Sequence, residues 1–574
     1  MIELGKRISW KAVLGSIIFI IIQVFAELNL PNMTSNIINN GVATGNINYI
    51  WRTGIIMILL TIVTVLAAIC GVYISAREAQ RVGKQIRGDI YHKVMSLSKD
   101  KVNQIGSASL ITRSTNDVEQ VQLVLMMFLR MMMFAPIMGI GAAVLSYSQS
   151  PDLARVFFVS VPVLITLLAL IMGSAVPLFK KIQQKTDRLN LIFREGLTGV
   201  RVIRAFNKSE YEEARFAEAN KDFMANNVKA MSIISFLMPV MTLVLSGTNI
   251  AIILIGGDYI ALGDMPVGNL VAFINYSAML LFSFMMTSMI LTMIPRAQVS
   301  AARINEVLRM ESTIQDGTEQ IETIPGERKE LRFDNVTYQF PHAERPVVQN
   351  IDFEIKAGQT LAIIGGTGSG KSTVSNLIMR FYDATEGKIT LNGKDLRLLS
   401  QHDVHNQVGY VPQKANLFSG TIRSNMHFGK GDATDEEIWK ALEIAQAKDF
   451  VEGLELGLDS PVEQGGTNFS GGQRQRLCIA RAIVKQPDIY VFDDSFSALD
   501  FKTDASLRRA LRSEITDSIV VIVAQRISTV KDADLILVLD NGQLVGKGKH
   551  EELLESSETY SEIMKSQFKE GEGK

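Results

Sequence analysis

The residues Ile363 to Thr373 read IIGGTGSGKST, and their types suit a triphosphate. Gly365, Gly370, Lys371 and Ser372 fit the spacing G-x-x-x-x-G-K-[ST] of a phosphate-binding loop. Gly365, Gly366, Thr367, Gly368, Ser369 and Gly370 let successive backbone N–H groups wrap the phosphates, and only glycine allows so close an approach. Lys371 would reach the outer phosphates, and the Ser372 hydroxyl, followed by Thr373, would ligate Mg²⁺. A second group lies more than a hundred residues on, where the apolar run Ile489–Asp494 ends in the two carboxylates Asp493 and Asp494. Asp493 is placed to take the same Mg²⁺, and Asp494 occupies the position of a general base for an attacking water. A third group is Phe469, Ser470, Gly471, Gly472 and Gln473, which opens a helical stretch and offers a separate anion site at a helix start.

These groups require particular supports. Leu361–Ile364 must be a strand running into the loop, and the residues after Lys371 must form a helix aimed at the phosphates. The β-branched run ending at Asp493 suits a buried parallel strand. From Leu331 onward short β-rich runs and helices alternate, as in an α/β nucleotide-binding domain. Met310–Lys329, polar and acidic with Pro325 and Gly326, reads as a linker.

Before the linker the chain is of another kind. Six apolar stretches, roughly Trp10–Leu30, Ile50–Ala76, Val121–Tyr147, Ala154–Leu178, Met231–Gly256 and Gly268–Ile294, each reach the length of a membrane span. The 574 residues are 47% hydrophobic with a mean hydropathy of +0.17, so several domains, one of them in a membrane, are expected. The first run is long and lacks a small-residue cleavage site, so it reads as a span rather than a signal peptide. Net charge is −1, which gives no electrostatic case for nucleic acid. Cys70 and Cys478 suggest neither a disulfide framework nor a metal site.

Lysine and arginine set the expected orientation. Pro31–Tyr49 and Gly257–Val267 contain none, whereas Arg77–Glu119 and Lys180–Lys229 are rich in both. By the positive-inside rule both termini and the two long loops are cytoplasmic. Val82, Ile86, Ile90 and Val94 recur every four residues, so the second span is expected to continue as a helix, reaching ~30 Å beyond the membrane. Ile182–Phe206 and Tyr211–Met231 are expected to behave alike. Within the spans Arg130 and Glu27 stand out as charges, with Glu27 placed at the outer interface. Met126, Met127, Met131, Met132, Met133, Met285, Met286 and Met289 suit either an adaptable pocket or plain lipid-facing packing.

Taken together, these motifs resemble the ATP-binding cassette (ABC) transporters over essentially the whole chain. Six spans ahead of one cassette are similar to a type IV exporter half-transporter. The resemblance implies an all-α membrane domain over 1–309, a linker over 310–330 and an α/β cassette over 331–574. It implies ATP and Mg²⁺ as cofactors, with Phe340 stacking on adenine and Gln413 as the glutamine that touches Mg²⁺ beside Ser372 and Asp493. Phe469–Gln473 resembles the signature, with Phe where Leu is usual, and Glu463–Gly466 resembles the X-loop. Ser497, Ala498, Leu499 and Asp500 form an intact D-loop. Two coupling helices are implied near 109–116 and 198–206.

Two positions depart from the family pattern. Asp494 stands where the catalytic glutamate is usual, and Gln525 where the switch histidine is usual. Losing one methylene withdraws the carboxylate by roughly an ångström, a misplacement that can cost ~10²-fold in rate. Gln525 can hydrogen-bond but cannot carry a proton as imidazole does. His550, in KGKHEEL, resembles a common surface position and no substitute.

The resulting expectation is the degenerate-site subunit of a bacterial heterodimeric multidrug exporter. A second half-transporter, membrane lipids and a hydrophobic small molecule would be its partners, in the inner membrane. Cassettes of this family pair head to tail, so this chain's signature would serve the partner's ATP. A homodimeric lipid or peptide exporter and an ATP-gated channel or regulatory subunit are the alternatives.

Overall fold

The computed structural model describes residues 7–319, 329–341 and 343–571. The centre of the expected linker, 320–328, lies outside the described residues. The chain divides into two compact units, one formed by Met1–Ser96 with Ile105–Met310, the other by Leu97–Gln104 with Glu311–Lys574.

The first unit is helical. Among the described residues six helical runs are long and apolar enough to cross a membrane, beginning at Trp10, Ile47, Ser107, Pro151, Ser209 and Val267. All six expected spans are present. Large apolar side chains stay on the outside of this unit, as Phe158 at 76% and Trp51 at 70% exposure show. That is the pattern of helices whose outer faces meet lipid. Ile47–Ser96 is one helix of 50 residues, about 75 Å at 1.5 Å per residue and so far longer than a bilayer core. Pro151–Thr198 likewise runs unbroken for 48 residues, its start capped by Ser150.

The third run is not straight. The helices Ser107–Thr112, Val118–Met127 and Met133–Gln149 are separated by π-helical turns at Arg113–Asp117 and Phe128–Met132. Pro136 explains the second turn, because it has no N–H for the carbonyl of Met132 and its ring crowds that oxygen. Polar side chains tie the helices together. Tyr276 donates to the Leu28 carbonyl at 2.9 Å, and Ser35 and Asn39 both donate to Asn269 at 2.8 and 3.0 Å. Buried Glu78 accepts from Arg81 at 2.6 and 2.9 Å and from the Ser9 amide at 2.6 Å.

The short segments between the long helices are helical too. Gly199 breaks the chain between Thr198 and the helix Val200–Ala205. The stretch 109–116, read as a coupling helix, spans the end of Ser107–Thr112 and the first π-turn, and it belongs to the first unit. The piece that groups with the cassette instead is Leu97–Gln104, just upstream. There Lys99 donates to Asn376 at 3.3 Å, and the Thr313 hydroxyl donates to Ser98 at 2.8 Å.

The second unit is built on a mixed sheet. Its strands are β1 (Glu330–Tyr338), β2 (Val348–Lys356), β3 (Thr360–Gly365), β4 (Glu386–Leu391), β5 (Lys394–Asp395), β6 (Val408–Val411), β9 (Ile489–Asp493), β10 (Ile519–Ala524), β11 (Leu535–Asp540) and β12 (Gln543–Gly548), while β7 (Gly420–Thr421) and β8 (Pro461–Val462) pair separately. The spatial order is β5-β4-β1-β2-β12-β11-β3-β10-β9-β6. The central strands β11, β3, β10, β9 and β6 are parallel, and β9 and β10 are buried throughout. This fits their unbroken apolar sequence. Parallel neighbours end together, so the carboxyl ends of β3, β9 and β10 deliver Gly365, Asp493 and Ala524 to one rim.

Candidate functional site

The phosphate loop follows β3 and leads into the helix Lys371–Ile378, as the sequence demanded. Two glycines are held by geometry. A Cβ on Gly365 would stand 2.2 Å from the Leu539 carbonyl oxygen. Gly370 caps the helix in the left-handed region at φ 97°, where a Cβ would meet the Val347 carbonyl oxygen at 2.9 Å. Gly366 and Gly368 have open space where a Cβ would stand.

Lys371 is buried and folds over the loop, donating to the carbonyls of Gly365 at 2.9 Å and Gly366 at 2.6 Å. Burial pulls its pKa below the usual lysine value, while the charges of Asp494 and Asp493 oppose that shift. Ser372 donates to Asp493 Oδ1 at 3.3 Å, so the two groups expected to share Mg²⁺ already meet. Burial raises the Asp493 pKa, and hydrogen bonds from Ser372 and Tyr410 counter it. A hydroxyl and a carboxylate suit Mg²⁺, which with a nucleotide needs only one or two protein carboxylates. Bound there, the ion would neutralise charge on the outer phosphates.

Asp494 follows β9 with a left-handed backbone, φ 48°. Its Oδ2 accepts from Gln413 Nε2 at 3.1 Å and from Gln525 Nε2 at 3.3 Å. Two side-chain amides therefore hold this oxygen. Gln525 is itself fixed from behind, since Gln567 of the helix Glu558–Gly571 donates to its carbonyl at 2.7 Å and accepts from the Ile527 amide at 2.9 Å. His550 shares with Asp494 and Gln525 the wall of a cavity of about 900 Å³. Its ring nitrogen Nδ1 is hydrogen-bonded to the Tyr560 hydroxyl at 2.7 Å.

Phe340 lies edge-on to Tyr338 and Tyr382, with ring centroids 5.0 and 5.4 Å away. The two tyrosines are buried and brace the half-buried Phe340, which is the ring of the three that a base could stack on. Tyr338 and Tyr382 were not among the residues read from the sequence, nor was Tyr410, whose hydroxyl donates to Asp493 Oδ2 at 3.4 Å. The signal for Tyr410 is its place in VGYVPQ, three residues before Gln413 on β6.

The signature lies at another helix start. Ser470 caps Gly471–Val484 in a reciprocal box, accepting from the Gln473 amide at 3.3 Å while its own amide donates to Gln473 Oε1 at 2.9 Å. Ser470 and Gly471 are exposed, and Gly471 has no neighbour near its Cβ position. The unusual Phe469 is buried, tilted against Phe450 at 6.4 Å, so the aromatic ring packs inward and away from the helix start. In the D-loop Ser497 donates to the Asp494 carbonyl at 2.9 Å, Leu499 is buried, and Asp500 caps the next helix through Thr503. The Ala498 carbonyl lies 3.4 Å from where a Gly472 Cβ would stand, which sets D-loop and signature side by side.

Comparison with known proteins agrees with both units. Residues 13–284 match the ABC transporter transmembrane region, and residues 348–497 match the ABC transporter family. An uncharacterized ABC transporter ATP-binding protein of Mycobacterium tuberculosis is 39% identical over 95% of this chain and 94% of its own length. One from Bacillus subtilis is 35% identical over 96% of each. A bacterial Atm1-family ABC exporter solved with ATP bound shares the fold at a TM-score of 0.81, with 24% identity, over 97% of this chain and 98% of that one. With a membrane region and a nucleotide-binding region in tandem, and relatives matching both at once, this chain belongs to the ABC transporter family.

Proposed function

We propose that this chain is the degenerate-site half of a heterodimeric ABC exporter that moves a hydrophobic or amphipathic substrate, of the drug-like class, out across the bacterial inner membrane. Export is supported by the fold and by similarity to proteins such as a putative export ATP-binding/permease protein of Rickettsia felis, 27% identical over 96% of this chain. The basic loops favour cytoplasmic termini. The observation that carries the degenerate-site reading is Asp494, whose Oδ2 is held by the side-chain amides of Gln413 and Gln525. Phe340, Lys371, Ser372 and Asp493 remain suited to ATP with Mg²⁺, so this site binds nucleotide and fires poorly. The helix start at Ser470–Gly472, exposed at Ser470 and Gly471, completes the partner's site, where most hydrolysis occurs.

The test is ATP turnover by this chain alone, purified in lipid without any other half-transporter. Two copies would present two weak sites, so turnover far below the 1–10³ s⁻¹ common for enzymes is expected. Robust turnover would identify a homodimeric exporter instead.

A further inference from the structure

The first span carries a carboxylate that the cassette chemistry does not use. Glu27 lies within the helix Trp10–Asn36. Gln23, one turn earlier, hydrogen-bonds the carboxylate, yet its Oε2 is buried and has no hydrogen-bond partner among the described residues. It borders a cavity of about 510 Å³ whose walls include five methionines, Met138, Met238, Met241, Met279 and Met285, together with Phe134. These residues come from the third, fifth and sixth helical runs, and among the described residues no lysine, arginine or histidine lines the space.

A carboxylate among apolar walls is costly unless something answers its charge. Among the described residues the chain supplies no cation here, so the answer must come from a proton, from the paired half-transporter or from a ligand. The other walls favour a ligand. Thioethers are polarisable and reshape easily around different apolar groups, and an aromatic face attracts positive charge. The volume is that of a small-molecule pocket. Resting on the export reading above, we infer that Glu27 is a specificity-determining counter-ion, and that the cavity takes organic cations bearing bulky apolar groups. A neutral or anionic molecule of the same shape would fill the methionine walls and leave the carboxylate unanswered or repelled.

The probes are tetraphenylphosphonium and tetraphenylborate, ions of nearly the same shape and opposite charge. Their binding is measured on the full-length chain, in the assembly it adopts in lipid nanodiscs, after subtracting binding to empty nanodiscs. The wild type should prefer the cation by tenfold or more. Glu27→Gln should weaken cation binding by tenfold or more without weakening the anion, and Glu27→Asp should retain part of the preference. Equal binding of the two ions by the wild type overturns the inference whether or not the variants fold. Unchanged cation binding in Glu27→Gln does so as well, and leaves Glu27 a protonated packing residue. ATP-dependent uptake of a neutral apolar dye into inverted vesicles separates the two readings. Dye uptake without cation preference defeats only the role of Glu27, whereas no ATP-dependent uptake of dye or cation defeats the export reading.

Discussion

The Lys371 face and the Ser470 face of the cassette use the same device, a glycine-rich turn opening a helix whose N-terminus suits an anion. They differ in what surrounds the device. Around Lys371 the structure brings together the phosphate loop, Ser372 and Asp493, and the carboxylate beyond them is tied to two glutamine amides. Around Ser470 there is little besides the capping box and an open approach. On the reading proposed above, the first face holds ATP and activates water weakly. The second is incomplete alone and has nothing that would weaken it as a contribution to another site. Retention and chemistry can thus be assigned to different surfaces of one domain.

The largest expected effect comes from breaking the second face. With an unaltered partner, Gly472→Asp should lower steady-state ATPase about 10²–10³-fold, as for loss of donors aimed at a transferring group. A Gly472 Cβ meets the Ala498 carbonyl oxygen at 3.4 Å, ordinary contact, so the added charge and not a clash is responsible. Ser470→Ala should move the rate in the same direction by less. Lys371→Ala should come next. It removes a charged donor from a site that retains ATP, so the ATP concentration for half-occupancy there should rise roughly tenfold, with a smaller drop in turnover. Nucleotide titration beside steady-state ATPase separates the two effects.

Repair sharpens the comparison from the other side. With the partner's own catalytic carboxylate disabled, Asp494→Glu or Gln525→His alone should recover less than about twofold, and the pair more than the product of the two, since groups acting as a unit are not additive. Equal rates for single and double repairs would count against that coupling. The smallest effect should be Asp494→Asn beside an intact partner. An asparagine oxygen can still accept from Gln413 and Gln525, and turnover should stay within about twofold of the wild type. If Asp494→Asn abolishes turnover while Gly472→Asp does not, the assignments of the two faces are exchanged.

Much of this was legible in the sequence, because the strongest signals are local. Each span is a contiguous apolar run, and the phosphate loop needs only its own strand and helix. What was not legible depends on residues far apart. Tyr410 matters through Asp493, on the neighbouring strand β9, and its place three residues before Gln413 does not reveal which carboxylate it meets. The turn at Phe128–Met132 was foreshadowed by Pro136, but a proline alone does not say whether a helix kinks, stops or widens. The grouping of Leu97–Gln104 with the cassette follows from tertiary contacts such as Lys99 with Asn376, which no periodicity encodes. The position of Glu27 beside a methionine cavity needed four helical runs brought together.

An unbroken helix also keeps angular phase. Along Ile47–Ser96 each residue turns everything beyond it by about 100° and advances it by ~1.5 Å. Val82, Ile86 and Ile90 are fully buried along one stripe, and Gly83 makes room for Gln122, which donates to Gln80 at 2.9 Å. One residue inserted ahead of that stripe would swing it off its partner helix, while seven, about two full turns, would bring it back into step. Evolution can therefore lengthen or shorten this helix only in whole periods, so the distance it spans is inherited in discrete increments.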